Sequence, residues 1–229
     1  MSEKTANLAF VFPGQGSQSL GMLSELAASY VEVQQVFEQA SEVLSLDLWS
    51  LVNDGPIGLL NQTQNTQPAM LAAGIAVWKV WCQQTEIRPF WVAGHSLGEY
   101  TALVASGSIK FEDAIKLVSE RGRFMQEAVP EGVGAMAAIL GLDDAQVIQV
   151  CADVANDEII SAVNFNSPGQ VVVAGNKPAV ERAMVAAKEA GAKRAVLLPV
   201  SVPSHCALMA SAAEKLDVKI GRASCRERV

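Results

Sequence analysis

Gly94-His95-Ser96-Leu97-Gly98 constrains this chain more than any other stretch, because it sets one serine in a Gly-x-Ser-x-Gly frame. The apolar run Phe90-Trp91-Val92-Ala93 precedes it, and a helix-like segment from Leu97 to Ser106 follows. A strand that turns sharply into a helix lifts the serine hydroxyl off the end of a sheet. Small residues at the two glycine positions relieve the crowding of that turn. The frame alone is a weak pattern, so context and partners carry the reading.

An elbow serine needs a base, and the chain holds two histidines. His95 is the neighbour of Ser96, and adjacent side chains on a strand point to opposite faces. His205 lies downstream in Pro203-Ser204-His205-Cys206, which reads as a loop after an apolar strand ending near Val200 to Val202. Ser96 with His205 is therefore the expected nucleophile and base, the alternative for His205 being a satisfied surface or core histidine. Cys206 sits beside that base and is read as packing, on the same argument about neighbouring side chains.

Half of the 229 residues are apolar, enough for a full core in one or two domains. The formal net charge of −7 argues against a nucleic-acid partner, which calls for a basic face. Cys82, Cys151, Cys206 and Cys225 form no C-x-x-C pair and no disulfide framework, consistent with a reduced, cytoplasmic setting. Apolar runs fall short of the ~18 residues that a bilayer span needs, Lys79 interrupting the longest, so no membrane partner is expected. The N-terminal residues lack the apolar core of a signal peptide.

Leu8 to Phe12 reads as a short buried strand, followed by the Gly-rich loop Pro13-Gly14-Gln15-Gly16-Ser17-Gln18 and one helix over about Gly21 to Ala40. Pro68 is expected to open a long apolar helix, Ala69 to Gln84, with Trp78 and Trp81 on one core-facing side. Phe111 to Met125 forms an amphipathic helix carrying Arg121 and Arg123. From Gly134 the order becomes β-α-β-β-α-β: strands at Ala135–Leu140, Ile159–Phe165, Gln170–Ala174 and Ala195–Val200, helices at Asp143–Asp153 and Pro178–Ala190. That order is the ferredoxin-like pattern. The closing residues 219–229, rich in arginine, contrast with all that precedes them and read as a non-native tail, a basic, disordered terminus being the alternative.

These motifs together resemble one family, the malonyl-CoA:acyl-carrier-protein transacylases of bacterial fatty acid synthesis. The resemblance runs from about Leu8 to Leu216. It is carried by Phe12-Pro13-Gly14-Gln15-Gly16-Ser17-Gln18, Thr66-Gln67-Pro68-Ala69, Gly94-His95-Ser96-Leu97-Gly98-Glu99-Tyr100 and Arg121-Gly122-Arg123-Phe124-Met125-Gln126. Gly134-Ala135-Met136-Ala137-Ala138, Asn164-Phe165-Asn166-Ser167-Pro168-Gly169-Gln170 and Val202-Pro203-Ser204-His205 complete it. The fold it implies is α/β, an α/β-hydrolase-like core over 1–129 and 200–218 with an inserted ferredoxin-like subdomain over 130–199.

By the same resemblance Ser96 is the nucleophile that accepts malonyl and His205 the base. The main-chain N–H groups of Gln15 and Leu97 form the oxyanion hole, and Arg121 and Met125 bind the substrate. A guanidinium holds a carboxylate bidentately, which suits malonyl. Arg123, roughly 200° further around the helix, faces elsewhere. The partners implied are malonyl-CoA and acyl carrier protein, the enzyme being a monomer without cofactor. Lys188, Lys193 and Arg194 are candidate positions for meeting an acidic carrier, a solvated helix end being the alternative.

The family continues beyond Leu216 with a segment that orients the catalytic histidine, so the chain is expected to be a C-terminally truncated, poorly stable and weakly active form. Two other readings share the elbow: a serine hydrolase or thioesterase, for which a buried arginine has little use, and an inactive fragment.

Overall fold

The computed structural model describes residues 4–130, 132–200 and 202–220; the residues from 221 onward, which include most of the expected tail, lie outside them. The chain opens with strand β1 (Lys4–Phe12), which pairs in parallel with β2 (Ile87–Gly94) in a two-stranded sheet. Parallel strands need a long crossover, and five helices supply it: α1 (Ser24–Ser29), α2 (Val31–Leu44), α3 (Leu48–Asp54), α4 (Ile57–Leu60) and α5 (Thr63–Gln84). After β2 come α6 (Gly98–Ala105) and α7 (Phe111–Ala128).

Two of these helices differ from the sequence expectation. The segment Gly21 to Ala40 is broken at Tyr30, whose extended backbone (φ −136°) ends α1 and opens α2. α1 buries no residue, whereas α2 buries Val33, Val36, Phe37 and Ala40, so the break re-aims the chain to put an apolar stripe inside. The helix expected to open at Pro68 instead starts at Thr63 and carries Pro68 inside it. The five residues upstream become helical because their side chains find partners: Asn65 Nδ2 donates to the carbonyl of Leu59 at 3.0 Å, and the Thr66 hydroxyl lies 2.5 Å from that of Leu60.

The core of this part gathers the inner faces of α2, α3, α5 and α7, with Phe37, Leu48, Leu71, Ile115 and Val118 fully or almost fully buried. Phe10 of β1 packs edge-on against Trp78 and Trp81 of α5, with ring centroids 5.3 and 5.0 Å away. The two tryptophans thus do serve one apolar side of α5. The opposite face of the strand pair is apolar yet exposed: Val11 is 70% and Trp91 64% accessible.

The second part is built on β3 (Gly134–Leu140), β4 (Ile160–Ser167), β5 (Gln170–Asn176) and β6 (Arg194–Leu197), with α8 (Asp144–Val154) and α9 (Lys177–Glu189) between them. Chain order is β-α-β-β-α-β, and the spatial order is β4-β5-β3-β6, antiparallel throughout. α8 starts with a capping box, the Asp143 side chain accepting from the Gln146 N–H and the Gln146 side chain returning to the Asp143 N–H. One face of this sheet (Ala135, Ala137, Ile139, Val171, Val173) packs on α8 and α9.

The chain thus divides into two units, 1–123 with 216–229 and 124–215, the second boundary falling inside α10 (Ala210–Ile220). The architecture is mixed α/β. No helix among the described residues is long and apolar enough to cross a membrane.

Candidate active site

Ser96 sits where β2 ends and α6 begins, and it holds a left-handed backbone, φ 53°. That region is sterically disfavoured for any residue with a Cβ and persists only where the surroundings enforce it. The enforcing contacts are close. A Cβ at Gly98 would lie 2.1 Å from the Phe12 carbonyl oxygen, and one at Gly94 would lie 1.9 Å from the Gly98 carbonyl carbon. The strand, the serine and the first helical turn are thus folded against one another with no space for a methyl group.

The parallel register pairs Phe12 with Gly94, so the loop leaving β1 and the elbow leaving β2 start side by side. The His95 N–H donates to the Phe12 carbonyl at 3.0 Å and stitches the two together. Within that loop the Gln15 side-chain amide donates to Thr63 Oγ1 at 3.0 Å. The Gly16 N–H donates to Gln18 Oε1 at 2.8 Å, and Gln18 Nε2 to Asn61 Oδ1 at 2.9 Å. Leu97, next after the serine, is almost fully buried.

Arg121 lies on α7 in the same unit. One of its terminal nitrogens, Nη1, donates to Gln67 Oε1 at 2.8 Å, and its guanidinium stands 5.7 Å from the Tyr100 ring centroid. Burial draws the Arg121 pKa down from its ordinary value, while the nearby Tyr100 and Glu99 hold it up; the group stays a cation. Burial also raises the Tyr100 hydroxyl, against the pull of Arg121. Arg123 lies on the exposed side of α7, 3.9 Å from Glu120.

His205 and Met125 belong to the second unit. Met125 is buried, one helical turn after Arg121 on α7. His205 also holds a left-handed backbone, φ 67°, in the loop ahead of a short 3-10 turn at Ala207–Met209. Its neighbour Cys206 anchors that loop, packing with Met136, Val172 and Ala174 on the sheet face turned away from α8 and α9. Cys206 Sγ donates to the Pro203 carbonyl at 3.2 Å, and burial raises its thiol pKa, as suits a packing residue.

Gln67, Thr63 and Tyr100 were given no role by sequence reasoning. A signal was present: Thr63-Gln64-Asn65-Thr66-Gln67 is a polar run at the head of an otherwise apolar helix, and Thr63, Thr66 and Gln67 are fully buried. Among the described residues no cluster of three or more His, Cys, Asp or Glu could hold a metal ion.

A serine on a strand–helix elbow is common to hydrolases and acyltransferases; the acyl transferase domain family matches residues 9–227, which sets the class. The chain is 60% identical over 214 residues to the malonyl CoA-acyl carrier protein transacylases of Salmonella typhimurium and of Escherichia coli. Each alignment covers 93% of this chain and 69% of the relative. An acyl carrier protein S-malonyltransferase from Vibrio cholerae superposes with TM-score 0.93 at 59% identity, over 96% of this chain and 72% of that one. A malonyl-transacylase solved in complex with its type II PKS acyl-carrier protein superposes at 0.94 and 56% identity, over 97% and 71%. The chain belongs to the malonyl CoA-acyl carrier protein transacylase family.

Proposed function

We propose that this chain transfers a malonyl group from malonyl-CoA, through an ester on Ser96, to the phosphopantetheine thiol of acyl carrier protein in fatty acid synthesis. The observation that carries the reading is the left-handed Ser96 at the strand–helix elbow of a chain 60% identical to such transacylases. The first unit is read as an α/β-hydrolase-like core. The second is read as a ferredoxin-like subdomain, on its β-α-β-β-α-β order and antiparallel sheet.

Each step balances on the side chains. Ser96 Oγ attacks the malonyl thioester carbonyl as its proton passes to His205; the C–S bond breaks, and coenzyme A leaves with that proton as a thiol. The carrier's thiol then yields its proton to His205 and attacks the ester. The C–O bond breaks, and Ser96 recovers the proton. Neither half needs a cofactor, because serine carries the acyl group and histidine the proton. The N–H groups of Leu97 and Gln15 receive the oxyanion of both tetrahedral intermediates. Arg121 binds the malonyl carboxylate, and Met125 lines the acyl pocket.

Incubation with malonyl-CoA followed by intact-mass measurement tests the reading. A gain of one malonyl group is expected, abolished by Ser96→Ala and discharged onto the carrier's thiol. Release of free malonate with no adduct makes the chain a hydrolase, a reading that the partly buried guanidinium of Arg121 disfavours. Neither signal makes it an inactive fragment.

A further inference from the structure

Four buried polar residues head α5, and they divide by where their bonds go. Asn65 and Thr66 turn back on the chain, meeting the carbonyls of Leu59 and Leu60 and so closing α4 onto α5. Thr63 and Gln67 reach outward. Thr63 Oγ1 accepts from the Gln15 side chain at 3.0 Å, and Gln67 Oε1 accepts from Arg121 at 2.8 Å. They are four residues apart, so they share one face of the helix. A buried polar group costs free energy unless it is bonded, and here both bonds run to residues of the proposed reaction.

The backbones make this geometry firm. α7 crosses the first turn of α5 at Gly122, where a Cβ would lie 2.6 Å from the Thr63 carbonyl oxygen and 2.6 Å from Gln64 Cα. Arg121 is the residue before it, so that close approach delivers its guanidinium to Gln67. A free arginine samples many rotamers. The bond to Gln67 and the ring of Tyr100, 5.7 Å from the guanidinium, restrict those rotamers. The Gln15 side chain, tethered to Thr63, in turn holds its own main-chain N–H in place.

We infer that Thr63 and Gln67 are a pair of positioning residues, one turn of α5 setting the oxyanion-hole loop through Gln15 and the carboxylate clamp through Arg121. The inference rests on the malonyl-transfer reading and deepens it by dividing rate from selectivity. Thr63 acts on every acyl group alike, because every thioester passes through an oxyanion. Gln67 acts on malonyl alone, because acetyl offers the clamp no carboxylate.

The test follows Ser96 acylation of the whole chain by intact mass, comparing kcat/KM for malonyl-CoA and acetyl-CoA. Gln67→Met, which removes the acceptor at similar volume, should lower the malonyl-to-acetyl ratio about tenfold or more, with acetyl loading within about twofold of the parent. Thr63→Val should lower both rates about equally and keep the ratio. An unchanged ratio in Gln67→Met, or a changed ratio or unchanged rates in Thr63→Val, overturns the inference. If Gln67→Met does not fold, Gln67→Glu replaces it. The new carboxylate competes for the guanidinium, so malonyl loading should fall while acetyl loading stays, and an unchanged ratio again overturns the inference. Arg121→Ala separates the two levels. If it leaves the ratio unchanged, the clamp fails and the inference with it; if it lowers the ratio while Gln67→Met does not, positioning alone fails. A parent chain that takes up no acyl group overturns the transfer reading and this inference together.

Discussion

The main-chain N–H of His95 donates to the carbonyl oxygen of Phe12 at 3.0 Å, one residue beyond the last paired rung of the parallel strands. This bond sets the elbow and the Gly-rich loop at a common origin. The Gln15 and Leu97 N–H groups leave from the two chains it joins.

Gly98→Ala should break this arrangement. Its Cβ would fall 2.1 Å from the Phe12 carbonyl oxygen and 2.8 Å from the Phe12 carbonyl carbon, both backbone atoms with no rotamer to yield. A loss of about 3 kcal/mol or more in unfolding free energy is expected, read as a lower urea midpoint at unchanged slope. An unshifted midpoint would show that the turn opens without cost.

Ser96→Gly and Ser96→Ala should both abolish acyl loading yet differ in stability. With φ at 53°, alanine keeps the clash of the Cβ with the backbone while glycine relieves it. The glycine variant should be the more stable by about 1 kcal/mol in denaturant titration. Equal stability would mean that Ser96 carries no backbone strain.

Asp47 caps α3, accepting the Ser50 N–H at 2.9 Å and the Ser50 hydroxyl at 2.8 Å. The Ser50 N–H, and then its hydroxyl, hold the carboxyl below its ordinary 3.8. A lowered pKa means stability that is full above the unfolded value and lost as pH falls through the folded one. Asp47→Ala should therefore cost about 1 kcal/mol at pH 7 and less at pH 3, by denaturation at both. An equal penalty at the two pH values would assign the effect to something other than the charged cap.

Much of this was legible because its causes are local. The elbow, the strand before it and the β-α-β-β-α-β rhythm follow from alternation, glycine placement and capping residues a few positions apart. The helix boundaries that differed were those decided elsewhere. Pro68 reads as a first-turn residue because its missing N–H costs nothing there. α5 nonetheless begins at Thr63, since Asn65 and Thr66, just upstream of α5's apolar run, bond back to α4. Tyr30 interrupts a good helical run because only the second half has a core to face.

The sequence by itself determined the candidate residue types: a serine in a Gly-x-Ser-x-Gly frame, a second histidine downstream as its expected base, and an arginine whose neighbour Arg123 points the other way. Those are properties of short windows, where spacing converts directly into direction. Only the tertiary structure decided that Gln67 holds Arg121, that Thr63 holds Gln15, and that Cys206 pins the loop of His205 to a sheet. Such contacts join residues far apart in the sequence, and burial makes polar partners obligatory without leaving any local periodicity to reveal them.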